Sequence, residues 1–175
     1  MRYAVVAAVI LVLVWTAGGF ARTDEETMKE LDRETLRGLQ GVYVLVEHLE
    51  PTIERDGLRR DQIRTDVELR LRQAGIPVPT EEERLRTPGT PYLYIRVASH
   101  SDSGLHAFHI AVELRQAVLL ERNPAKFVGA RTTWEFIGAV GTVGSSKVRK
   151  LREVIADAVD EFINAYLTVN PRGKR

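Results

Sequence analysis

The run YLYIRVASHSDSGLHAFHIAVELRQAVLLE, residues 92–121, decides the fold. Apolar and polar side chains alternate on both sides of Ser101-Asp102-Ser103-Gly104. Period-two alternation aims one face at a core, and a Ser/Asp/Gly cluster between two such runs reads as a hairpin turn. Tyr92 to His100 and Leu105 to Glu121 are therefore predicted as paired strands. Pairing that keeps the faces unmixed sets Leu93 opposite Val112, Ile95 opposite Ile110 and Val97 opposite Phe108. Tyr94 then meets Ala111, and Arg96 meets His109, on the other face. A slip by one residue would exchange the faces.

Beyond the hairpin, Asn123-Pro124-Ala125-Lys126 is read as a second turn, and Phe127 to Ile137 as a further strand. Its expected partners are Leu114 with Phe136, Gln116 with Trp134, Val118 with Thr132, and Arg115 with Glu135 as a cross-strand ion pair. Gly138 to Gly144 reads as a glycine-spaced loop. From Ser146, the positions Val148, Leu151, Ile155, Val159, Phe162, Ile163, Tyr166 and Leu167 trace a long helical stripe, which Asn170-Pro171 stops. A basic tail follows from Arg172 to Arg175.

On the other side of the hairpin, Gly41 to Leu49 (GVYVLVEHL) reads as a strand. Both of its faces are largely apolar, which predicts a place inside the sheet, and Pro51 ends it. Asp61 to Ala74 carries Ile63, Val67, Leu71 and Ala74 on one helical stripe, closed by Gly75 and Pro77. Pro77 to Pro91 is a long connection. Residues 22–40 form an N-terminal arm or marginal helix, with Thr23 as a candidate N-cap. The order β-α-β-β-β-α predicts an α+β two-layer sandwich. It has a mixed sheet of about four strands and two helices on its apolar face. Residues 41–170 make a single domain.

Residues 1–21 read as a cleaved secretory signal peptide. Arg2 supplies the positive start, Ala4 to Trp15 the apolar run, and Gly19-Phe20-Ala21 the small-x-small cleavage pattern. An uncleaved anchor is the competing reading, although the run is shorter than the about 20 residues a span needs. The 175-residue chain has 25 Lys+Arg against 24 Asp+Glu, so its charge gives no reason to expect nucleic acid. It has no cysteine, which excludes a lipoprotein anchor, disulfides and thiol chemistry. The expectation is a periplasmic or secreted domain with no stable membrane span once the signal is removed.

An export signal followed by these segments resembles small bacterial envelope domains. Examples are the TolB N-terminal domain, the periplasmic domain of the curli secretion channel and the auxiliary lipoprotein of the lipopolysaccharide translocon. The segments carrying the likeness are GVYVLVEHL, DQIRTDVELRLRQAGI, PYLYIRVAS, LHAFHIAVELRQAVLL, ARTTWEFIG and the Ser146 to Leu167 helix. The resemblance implies a non-catalytic assembly or adaptor part. Many members carry a lipobox cysteine that this chain lacks.

Candidate chemistry is sparse. His100, His106 and His109 surround the hairpin and invite a metal reading, but the register sends His106 to the apolar face and the other two away from it. Ser99, Ser101, Ser103 and His106 lie close together without a G-x-S-x-G elbow. Gly138, Gly141 and Gly144 before Ser145-Ser146-Lys147 fit neither phosphate-binding spacing, and either serine could cap the helix. Glu81-Glu82-Glu83 reads as a solvated charge run, and the arginines of residues 55–86 as a salt-bridged surface. No cofactor is expected. The most informative surface is the mixed sheet face, with Tyr92, Tyr94, Arg96, His109, Glu113 and Arg115 as candidate contacts for an envelope protein partner, an exposed strand edge being the other docking surface. The alternative is a small periplasmic enzyme or metal-binding protein using His100, His106 and His109.

Overall fold

The computed structural model describes residues 26–136 and 138–171. The expected signal peptide at 1–21, the candidate cap at Thr23 and the basic tail from Arg172 lie outside them. Helix α1 occupies 26–34. It is followed by β1 (Tyr43–Val46), α2 (Pro51–Arg55), α3 (Arg60–Gln73), α4 (Glu81–Arg86), β2 (Tyr92–Asp102), β3 (Leu105–Leu120), β4 (Asn123–Phe136) and β5 (Val140–Gly144). A 3-10 turn, Ser145–Lys150, leads into α5 (Leu151–Val169). The fold is an α+β sandwich on a mixed sheet of five strands, ordered β1-β2-β3-β4 with β5 also paired to β3.

The apolar face is built as its alternation requires. Leu93, Ile95, Val97, Ile110, Val112 and Leu114 are at most 4% exposed. They form one core with Ile63, Val67 and Leu71 of α3 and with Ile155, Val159 and Phe162 of α5. Trp134 meets Phe162 edge-on at 5.2 Å. Helix α3 ends in a Schellman cap, with Gly75 N–H donating to Arg72 O at 2.9 Å and Ile76 N–H to Leu71 O at 2.8 Å. The end of α5 is tied to the segment after α1. Asn170 Nδ2 donates to Leu36 O at 2.8 Å, and Tyr166 Oη to Leu39 O at 2.7 Å. Leu36 is fully buried, so the segment after α1 is part of the fold.

The structure corrects several expectations. Strands β2 and β3 pair with Leu93 opposite Leu114, Ile95 opposite Val112 and Val97 opposite Ile110, two residues from the expected register. The turn is the cause. Ser103 at φ +48 and Gly104 at φ +81 form a two-residue loop with both centres left-handed, so Ser101 and Asp102 join the strand. A shift of two leaves every side chain on its expected face. Arg96 consequently faces Ala111, and His109 faces Ala98.

Between β3 and β4 the chain reverses at Glu121-Arg122, because Leu120 pairs with Asn123. Pro124, Ala125 and Lys126 then stand out of register before Leu119 meets Phe127. Pro124 has no N–H to give a ladder, which confines it to an edge or a bulge. Arg115 lies opposite Thr132, not Glu135, and Leu114 opposite Trp134.

Residues 140–144, expected as a loop, add strand β5 along the first half of β3. Gly138 permits the approach to β3, since a Cβ there would lie 1.8 Å from Ile110 O. Strand β1 is not interior. Among the described residues it pairs with β2 alone, in parallel, and lies at the sheet edge. Its second apolar face is covered instead by guanidinium groups, with Arg64 5.1 Å and Arg84 5.6 Å from the Tyr43 ring centre. Finally, Glu81-Glu82-Glu83 opens α4 under a capping box, in which Thr80 Oγ1 accepts from Glu83 N–H and Glu83 accepts from Thr80 N–H.

Candidate functional site on the mixed sheet face

Alternation along β2 and β3 brings all six expected contact residues to the face opposite the α3–α5 layer. Tyr92 pairs with Arg115, Tyr94 with Glu113 and Arg96 with Ala111, while His109 lies further along opposite Ala98. Glu113 is the buried charge of this face, 7% exposed. Its Oε2 accepts from Arg115 Nε at 2.8 Å and from Thr132 Oγ1 at 2.8 Å, and Arg115 Nη2 lies at 2.8 Å. A buried carboxylate is tolerated only when paired in this way.

The same guanidinium lies over Tyr94, 4.0 Å from the ring centre. Tyr94 and Tyr92 meet edge to face at 6.4 Å. Arg84 of α4 is stacked against Tyr92 at 5.3 Å as well as Tyr43. Cations and rings therefore form one chain of contacts: Arg64, Tyr43, Arg84, Tyr92, Tyr94, Arg115. Each contact holds its neighbour's rotamer, so the surface is set before any partner arrives. Burial raises the Tyr94 phenol above its ordinary pKa, and its hydrogen bond to the Glu47 carboxylate adds to this. It remains a neutral donor at physiological pH. Arg96 Nε is buried without a hydrogen-bond partner.

The histidines are not brought together. His106 points into the apolar side and is 1% exposed, while His100 and His109 lie on the mixed face. Among the described residues, no three His, Asp or Glu side chains converge to hold a metal ion. His106 instead fastens four segments. Its Nδ1 lies 2.7 Å from Ser101 Oγ and its Nε2 2.6 Å from Asp56 Oδ2. Ser145 Oγ is 3.3 Å from the same Nε2, and Ser101 Oγ donates to Thr52 Oγ1 at 3.0 Å. Thr52 Oγ1 in turn donates to Glu50.

A serine, a histidine and an acid thus meet, which the spacing of Ser99, Ser101, Ser103 and His106 hinted at without the acid. Asp56 follows α2 and is distant in sequence, so pattern reading could not supply it. The ring is sealed from solvent and the Ser101 hydroxyl is engaged twice, which suits a structural fastening better than a nucleophile. Hydrogen bonds from Ser145 and His106 hold the Asp56 carboxyl below its usual pKa. Because Ser145 faces the histidine, it does not cap a helix. The 3-10 turn starts after Gly144 with no side-chain cap.

The arginines of residues 55–86 are largely ion-paired. Glu68 bridges Arg64 at 2.8 Å and Arg72 at 2.9 Å, and Arg70 reaches Asp160 at 2.8 Å. No helix of the described residues is long and apolar enough to cross a membrane. Comparison of the chain with protein families, curated proteins and solved structures finds no match.

Proposed function

We propose that this protein is an exported, non-enzymatic binding or assembly module of the bacterial cell envelope, which docks a protein partner on its mixed sheet face. One observation carries the reading. Tyr92, Tyr94, Glu113 and Arg115 form one cluster, stacked and hydrogen-bonded, with Arg96 beside it in register, on the side of the sheet that α3 and α5 leave open. Tyr and Arg are the residue types that most often dominate protein interfaces, and pre-set rotamers lower the entropic cost of docking. The secretory pattern of residues 1–21 and the likeness of element order to envelope domains support the cellular setting.

The test is crosslinked capture by the tagged full chain in the bacterium that encodes it. Arg96→Glu inverts a charge at the centre of the face and keeps both Glu113 and Arg115. It is expected to lower recovery of the partner about tenfold or more, as at an interface hot spot. Lys150→Glu, in the 3-10 turn, leaves recovery unchanged. Equal recovery by wild type and Arg96→Glu would reject the sheet face as the docking surface.

A further inference from the structure

The end of the β3–β4 hairpin does not belong to the core. Strand β2 stops pairing with β3 at Tyr92–Arg115, and Gly89 O accepts the last outside bond, from Ala117 N–H at 2.7 Å. Among the described residues, 118–129 bond to no other element. This ribbon is rich in apolar side chains where solvent would normally select polar ones. Leu119 and Phe127 are cross-strand partners and are 62% and 66% exposed. Val118, Leu120 and Val128 are half-buried around them. A two-stranded ribbon is marginal in water on its own. A stretch this apolar therefore needs a surface to lie against.

The charges indicate which surface. Arg122 and Lys126 lie in the chain between Leu119 and Phe127, and Arg131 follows four residues along β4 opposite Gln116, against the single acid Glu121. Arg122 and Lys126 enter no ion pair among the described residues. Apolar side chains with unpaired cations close by in the hairpin match the boundary of an anionic bilayer, where acyl chains and phosphates are stacked within a few ångströms. A second copy of the chain is a poor match. The tips carry like charge, and the outer edge of β4 is blunted for strand addition by the bulge at Pro124–Lys126 and by Gly129 at φ +64. Spanning is also excluded for an open two-stranded ribbon, whose edges would be unpaired in hydrocarbon.

We infer that the 118–131 hairpin is a membrane-surface contact that lays Leu119 and Phe127 into the headgroup region of an anionic bilayer, held by Arg122, Lys126 and Arg131. This site is separate from the sheet face and does not depend on it. The bilayer phosphate is the recognised group.

The absence of cysteine allows a local test on the full chain. Ala125→Cys, at the tip, carries an environment-sensitive fluorophore. Ser103→Cys carries the same label at the far end of β3. Vesicles of phosphatidylcholine with one quarter phosphatidylglycerol are titrated in. The tip label is expected to shift to the blue and to be quenched by lipid-borne quencher, while the Ser103 label stays unchanged. Arg122→Glu with Lys126→Glu is expected to raise the lipid needed for half-saturation at least about 30-fold. Leu119→Ser with Phe127→Ser abolishes the quenching, and circular dichroism checks that both pairs stay folded. No response at the tip overturns the inference. So does an equal response at both labels, because residues 1–21 would then be bringing the whole chain to the bilayer. A tip signal that follows protein concentration without vesicles also overturns it, in favour of self-association. The capture experiment on Arg96 is independent of every one of these outcomes.

Discussion

Replacing Arg115 with methionine removes the cation from the mixed face and leaves most of its hydrophobic stem. Glu113 then keeps Thr132 as its hydrogen-bond donor but has no counter-charge. Removing one member of a fully buried ion pair costs about 3–5 kcal/mol. The Arg115 side chain is 31% exposed, so water screens part of the interaction, and about 2–3 kcal/mol is expected. For a chain of this size that lowers Tm by roughly 4–12 °C. Arg115→Met, Glu113→Gln and the double variant are to be compared by urea denaturation followed by circular dichroism. The double variant has no stranded charge, so it should be more stable than the sum of the single losses by at least about 1 kcal/mol. Losses that add within about 0.5 kcal/mol would mean the pair is not coupled, and the account of a pre-set face would fail. Arg115→Lys refines the test. It keeps the charge but lacks the planar fork that lies over Tyr94. Its stability should fall between wild type and Arg115→Met.

Three further outcomes are expected. Hydrogen bonds to Asp56 lower its folded pKa, so its contribution is complete above the unfolded carboxyl value near ~3.9 and is lost as pH falls through the folded one. Wild type should therefore lose more of its urea midpoint on acidification below pH ~4 than Asp56→Asn, and parallel profiles would remove Asp56 from the His106 fastening. Gly138→Ala would force a Cβ to 1.8 Å from Ile110 O, so a loss above about 4 kcal/mol, or failure to accumulate folded protein, is expected. A melting point like that of wild type would show that β5 docks differently. Thr80→Ala should cost α4 about 1 kcal/mol of local stability. Hydrogen exchange should then be about fivefold faster at the amides of α4 and unchanged in α5.

Legibility in the sequence followed the range of the interaction involved. Face assignment depends on neighbours two residues apart, so Leu93, Ile95 and Val97 fell on the core side and Tyr94 and Arg96 on the other despite a wrong register. The register itself depended on whether Ser101 and Asp102 belonged to the turn, which the left-handed backbone at Ser103 decides. Strand β1 looked interior because both its faces are apolar, but arginine stems and rings can cover a face as strands do. Helix α4 carries a local signal of its own. Thr80-Glu81-Glu82-Glu83 is a capping box, hidden inside a proline-flanked segment that read as a loop. The His106–Asp56 contact spans fifty residues of chain and no local pattern announces it.

Strand β3 has a mechanical consequence. Its 16 residues run from the Ser103-Gly104 turn to the Glu121-Arg122 reversal. The two ends are therefore about 50 Å apart along one strand. A pull applied at the hairpin tip and resisted at the Ser101–His106 end runs parallel to that strand. Antiparallel ladder bonds lie across the strand direction, so such a load puts those to β2 under shear together instead of unzipping them singly. Load entering by way of β4 instead acts on an edge strand, which the sheet holds on one side alone. The sheet is thus stiffest along β3 and weakest at its β4 edge.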